Sequence, residues 1–180
     1  MKITLIRHGE VEEKYQGCYN GHIDVALSKK GHSQAKELAQ KFKDEKYDAV
    51  FCSDLKRAKQ TLSYFPHAKD AIYTDKLREK SWGKYEGLSF DEIIAQNEIK
   101  YENFLQWIEA LDGEDYQSYI NRIKDFFNTI QQQNKQNILI ITHSGVIKTL
   151  IFIKEKITIQ ESFSTKLPYA SYMIYENFKI

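Results

Sequence analysis

Proline occurs only twice in 180 residues and glycine eight times. That scarcity excludes proline-rich linkers, collagen-like repeats and loop-dominated folds. Cysteine also occurs only twice, as Cys18 and Cys52. Two are too few for a disulfide framework and form no paired-cysteine metal motif. No run of about 18 apolar residues appears, and the first residues lack the apolar core of a secretory signal. These absences point to a reduced, cytoplasmic setting without a membrane span. An excess of one charge is missing too. Lys plus Arg is 26 and Asp plus Glu is 25, a net charge of +1. There is therefore no global field to steer the chain onto nucleic acid or an anionic membrane, and any affinity for an anion must be local. Arginine itself is scarce: Arg7, Arg57, Arg78 and Arg122 stand against 22 lysines. The guanidinium grips phosphate or carboxylate through two parallel bonds, whereas the ammonium is a point charge. A chain that defaults to lysine keeps arginine where the fork matters.

What is present is globular. Apolar residues make up 42% of the chain and aromatics 13%, enough for a core, and the length is that of one domain spanning residues 1–180. Three short apolar runs read as strands: Ile3–Ile6, Ala49–Cys52 and Ile138–Ile141. Continuous β-branched runs suit strands buried on both faces of a parallel sheet. Ala71–Tyr73 and Tyr172–Tyr175 are weaker candidates. Helical spacing follows Gly31, with Ala35, Leu38, Ala39 and Phe42, and runs over Asp54–Tyr64, with Ser53 as its expected N-cap. It recurs from Tyr116 to Ile130, after Gly145, and as one or two helices between Ser89 and Glu109. Alternating strands and helices predict an α/β fold with a mostly parallel central sheet flanked by helices.

In such folds ligands sit at the carboxyl ends of the strands. Here those ends carry chemistry. The first strand runs into Arg7-His8-Gly9-Glu10, the second into Ser53-Asp54 with Arg57 close behind, and the third into Thr142-His143-Ser144-Gly145. Two guanidiniums, two imidazoles and the start of a helix around one rim suit a phosphoryl group. His22, His32 and His67 read as structural histidines. A metal held by His8, His143, His22 and Asp24 is the rival account, but the adjoining arginines would repel a divalent cation.

The same residues resemble a known family. Arg7-His8-Gly9-Glu10 resembles the signature of the histidine phosphatase superfamily, the phosphoglycerate mutase-like enzymes. The likeness continues in order through Asn20-Gly21-His22-Ile23-Asp24, Leu27-Ser28, Gly31 and Gln34-Ala35. It extends over Ser53 to Thr61, Leu77-Arg78-Glu79, Trp82-Gly83, Tyr85-Glu86-Gly87 and Thr142-His143-Ser144-Gly145-Val146. The resemblance implies a three-layer sandwich and a phosphomonoesterase that needs neither metal nor cofactor. It makes His8 the nucleophile that becomes phosphohistidine. It gives Arg7, Arg57 and His143 the phosphoryl oxygens, and Glu79 the role of acid and then base. Asn20, Gly21 and Ser144 are the implied substrate-binding residues, and a small phosphorylated metabolite is the implied partner. The sequence departs from the pattern at Lys14, where Asn is common, at Asn20 and at Ser144.

Within the family, the stretch from Trp82 to Gly87 resembles small phosphatases such as α-ribazole phosphatase. A cofactor-dependent phosphoglycerate mutase is the alternative. It is disfavoured because Lys100 is the sole basic residue between Phe90 and Asp115, against Asp91, Glu92, Glu98, Glu102, Glu109, Asp112, Glu114 and Asp115. A phosphohistidine-protein phosphatase would lack an acid equivalent to Glu79, and a non-catalytic phosphate-binding module would not need the full set. Residues 89–115 are expected to form a helical region over the site, with Tyr101, Phe104, Leu105 and Ile108 on one face. Core packing is the competing use of those side chains. Oligomeric state is not legible here.

Overall fold

The three strongest apolar runs form the middle of one sheet. In the computed structural model, which describes residues 1–96 and 99–180, the strands are β1 (Lys2–Arg7), β2 (Ala49–Ser53), β3 (Ile72–Thr74), β4 (Asn137–Thr142) and β5 (Tyr172–Tyr175). Their order is β3-β2-β4-β1-β5. β5 runs antiparallel to β1, and the other pairs are parallel. The described helices are α1 (Lys29–Lys41), α2 (Lys56–Leu62), α3 (Phe90–Gln96), α4 (Phe104–Ala110), α5 (Tyr116–Gln131), α6 (Ser144–Glu155) and α7 (Ile159–Ser164). Successive strand residues face opposite sides of the sheet. Ile3, Leu5, Ile138 and Ile140 pack against the stripes of α5 and α6. Ile6, Val50, Cys52, Leu139 and Ile141 pack against α1 and α2. The result is the expected α/β sandwich of three layers, with the core on both faces of the sheet. Among the described residues no helix is long and apolar enough to cross a membrane.

Several expected boundaries move. Ser53 does not cap the second helix; it is the last residue of β2, and α2 opens three residues later with Leu55 at the N-cap. The orphan amide of Lys56 is satisfied from a distant loop, by Asp24 Oδ1 at 2.5 Å. The first helix starts before Gly31, capped by Ser28. The region from Ser89 to Glu109 contains α3 and α4, and the latter is capped by Asn103. Glu98, counted above among the acids of that region, lies outside the described residues. Tyr101, Phe104, Leu105 and Ile108 do not share one face: Tyr101 precedes α4 and is exposed, Leu105 is exposed, and Trp107 and Ile108 are the buried pair.

Strand register assembles the rim. Arg7 pairs with Thr142, and His8 N then donates to Thr142 O at 3.0 Å, which sets His8 beside His143. β2 pairs with β4 as far as Cys52 and Ile141, so Ser53 ends next to His143. Thr142 Oγ1 donates to Leu77 O at 2.8 Å and draws in the turn that carries Glu79. Gly9 serves close packing: a Cβ there would stand 2.5 Å from Gly31 O. The exit of β1 therefore lies directly on the α1 backbone.

Candidate active site

His8 is almost fully buried. Its Nδ1 lies 2.8 Å from Gly9 O, so Nδ1 carries the proton and donates it to that carbonyl. This leaves the lone pair on Nε2. Burial first, then the charges of Arg57 and Arg7, hold the imidazole well below its ordinary range, in the neutral form a nucleophile needs. Arg7 and His8 leave β1 on opposite faces, yet both line one pocket. Arg7 Nη1 donates to Leu167 O, and its guanidinium lies 4.0 Å above the ring of Tyr169. That ring also stands 5.8 Å from the His8 ring.

Arg57 is 2% exposed. Nη1 donates to Ile23 O at 2.9 Å, Nη2 to Gly21 O at 2.7 Å, and Nε to His143 Nδ1 at 3.2 Å. One N–H on each terminal nitrogen remains for the pocket. Burial pushes its pKa down to about 10, which leaves it charged at neutral pH. His143 is fully buried, and Nε2 lies 2.8 Å from Ser53 Oγ. Because Nδ1 accepts from Arg57, Nε2 carries the proton and donates to Ser53. Both ring nitrogens have protein partners in this arrangement. The structure thus gives His143 a positioning place behind Arg57 and edge-on to His8, with ring centroids 5.1 Å apart.

Glu79 is held at both oxygens. Tyr119 OH donates to Oε1 at 2.9 Å, Lys80 N donates to Oε1 at 3.1 Å, and Gly145 N donates to Oε2 at 2.9 Å. The start of α6 was expected to offer its amides to a phosphate; its Gly145 amide holds the Glu79 carboxylate instead. Gly145 is required by this approach, since a Cβ there would lie 2.0 Å from Glu79 Oε1. The turn carrying Glu79 is fixed from outside. Arg122 donates to the carbonyls of Lys76 and Arg78 and forks onto Glu114. His22, read above as structural, places Nε2 2.9 Å from Glu79 O. His22 and Asp24, weighed as metal ligands, are thus turned to other partners.

The pocket is lined by Arg7, His8, Arg57 and Glu79, and also by Asn20, Gly21 and Ser144. Lys14 is not in the lining; it is exposed, with Nζ 4.6 Å from the ring centre of Tyr15. No described residue from 89 to 115 lines the pocket either. That region backs the wall: Trp107 Nε1 donates to Tyr19 OH at 2.8 Å, and Phe104 packs on Phe163 at 5.1 Å. The residues that sequence reasoning missed include Cys18, Lys148, Phe163 and Tyr169, all in the lining. Lys148 had a faint signal, one turn after Ser144 on the same helix; the others had none. The arginine economy has a structural reason. Arg7 and Arg57 line the pocket, Arg78 forks onto Asp54, and Arg122 forks onto Glu114.

Known proteins resemble this chain in sequence and in fold. The model of the histidine phosphatase superfamily (branch 1) matches residues 3–178. The chain is 31% identical to the adenosylcobalamin/alpha-ribazole phosphatase of Salmonella typhimurium over 157 residues, covering 84% of this chain and 78% of that one. It is 29% identical to phosphoserine phosphatase 1 of Hydrogenobacter thermophilus, covering 97% of this chain and 85% of that one. The crystal structure of the alpha-ribazole phosphatase from Shigella flexneri superposes with a TM-score of 0.82 at 27% identity, over 97% of this chain and 89% of that one.

Proposed function

The chain belongs to the histidine phosphatase superfamily and is a phosphatase, and we propose that it hydrolyses a small phosphomonoester through a phosphohistidine on His8, without a metal. The observation that carries this reading is the His8–Gly9 hydrogen bond. It fixes the tautomer that presents Nε2 to the pocket shared with Arg7, Arg57 and Glu79.

In the first step the Nε2 lone pair attacks phosphorus and the ester P–O bond breaks. Glu79 gives its proton to the departing oxygen, which an alkoxide requires. The ring becomes a cation once phosphorylated, and the Gly9 carbonyl on Nδ1–H stabilises it. Arg7 and the two remaining N–H groups of Arg57 face the phosphoryl oxygens, in the place where a metal would otherwise supply positive charge. In the second step the Glu79 carboxylate takes a proton from water as the water oxygen attacks phosphorus. The N–P bond breaks, and inorganic phosphate leaves with His8 restored. His143 acts through Arg57. Residues 89–115 support the outer wall and contribute no cation to the described lining, which favours a hydrolase over a mutase holding a second phosphoryl group. α-Ribazole phosphate and phosphoserine, the substrates in the names of the relatives, are the first metabolites to test.

The wild-type protein should release nitrophenol from p-nitrophenyl phosphate equally well with and without EDTA. Labelled substrate should leave an acid-labile phosphoenzyme that His8→Ala abolishes together with turnover. Loss of activity on chelation, or label on another residue, would overturn the mechanism.

A further inference from the structure

Lys148 is the cation that this mechanism does not use. It lies one turn into α6 and lines the same pocket as His8 and Glu79. Its ammonium donates to Phe163 O at 2.7 Å, which leaves two of its three N–H groups without an assigned protein acceptor. Among the described residues no carboxylate lies within ion-pair distance of it. Glu79 shares the pocket, but its oxygens are held by Tyr119, Lys80 N and Gly145 N. The amine is half-buried beside the Phe163 ring, 5.6 Å from its centre. An ammonium drawn out of water without a carboxylate in direct contact is unfavourable. Burial, followed by the charge of Arg7, lowers its proton affinity, and the nearby Glu79 opposes them. Arg7 and Lys148 are anchored to carbonyls of α7 and the residues just after it, those of Leu167 and Phe163. The two cations therefore flank the same stretch of wall.

The charges do not cancel with a simple ester. A phosphomonoester brings close to two negative charges at neutral pH, which Arg7 and Arg57 match. With Glu79 neutral, carrying the proton that it donates in the first step, Lys148 leaves one positive charge over. We infer that Lys148 forms a second anion subsite, which selects phosphomonoesters that also carry a carboxylate close to the phosphate. A second phosphoryl group fits less well, because it would bring nearly two further charges to one point-charge ammonium where a fork is the better partner. The inference rests on the phosphatase reading of His8, Arg7, Arg57 and Glu79.

Matched substrates test it. 3-Phosphoglycerate and glycerol 3-phosphate differ by a carboxylate against a hydroxymethyl group; O-phosphoserine and O-phosphoethanolamine differ by the carboxylate alone. In wild type, kcat/KM should favour the carboxylate-bearing member of at least one pair by about tenfold or more, the scale of one charge-assisted hydrogen bond. Lys148→Met should bring that ratio close to one, and Lys148→Arg should keep most of it. The ratio within one variant is insensitive to the amount of folded enzyme. A wild-type ratio near one, a ratio that Lys148→Met leaves unchanged, or turnover of p-nitrophenyl phosphate but of neither pair would each overturn the subsite while leaving the phosphatase standing. Failure on p-nitrophenyl phosphate as well would instead overturn the phosphatase reading and the subsite with it.

Discussion

The inner end of the pocket and its outer wall are built by different means. At the inner end, His8, His143 and Glu79 sit at strand ends or on the turns that follow, Arg57 sits in the first turn of α2, and every one is tied by hydrogen bonds. The β1–β4 ladder runs straight into the His8 amide, Arg57 is clamped by two carbonyls and an imidazole, and Glu79 is held at both oxygens. The outer wall is made of Tyr19, Trp82, Lys148, Phe163 and Tyr169, from loops and helices scattered along the chain. Aromatic edges and single hydrogen bonds hold it, such as Tyr19 on Trp82 at 5.0 Å and Trp107 to Tyr19 OH. Groups that must meet a reacting atom need orientations fixed in advance. Groups that select a substrate can rest on softer contacts, and a wall of that kind can be rebuilt without disturbing the chemistry.

The sharpest way to break this comparison is Gly145→Ala. Its methyl would collide with the Glu79 carboxylate and should slow hydrolysis of an alkyl phosphate about 10²-fold or more. p-Nitrophenyl phosphate, whose leaving group needs little protonation, should lose far less. Equal losses on both substrates in steady-state assays would detach Gly145 from the acid.

A smaller effect should appear in stability against pH. His8 and His143 are buried and held neutral, with proton affinities well below the ordinary imidazole range. The unfolded chain takes up protons below about pH 6.5 that the folded chain refuses. Stability should therefore be full above that pH and fall as the pH drops beneath it, in urea melts of the ligand-free protein between pH 7 and 5. A flat profile would mean that the inner end accepts charge and is looser than its hydrogen bonds indicate.

The smallest effect is expected outside. Trp107→Phe removes the donor to Tyr19 OH and should change KM by less than about tenfold, the scale of one neutral hydrogen bond, with kcat nearly constant. A large fall in kcat would show that the outer wall also sets the reacting geometry.

Much of the inner end was legible because its signals are local. A β-branched run marks a strand, and the polar cluster that ends it marks the rim, so Arg7, His8, Arg57 and His143 could be placed there from spacing alone. The sheet and its flanking helices followed from the same periodicity. Glu79 was reached through a resemblance, because the nearby strand β3 has only three residues and is partly exposed. Ser53 was misread as a cap because serine before a helical stretch satisfies the local rule, while the distant Asp24 supplies that bond.

Sequence by itself determined which chemical groups stand at the strand ends, since side-chain alternation and chain exits depend on neighbouring residues only. Tertiary structure alone decided where those groups point. His143 has both nitrogens engaged because Arg57 and Ser53, 86 and 90 positions distant, take them. Arg7 is anchored 160 residues away at Leu167, and Lys148 reaches the pocket beside a segment on the following helix. Contacts of that range leave no periodic trace along the chain: they arise when separate layers pack against one another, and the packing fixes the outer wall.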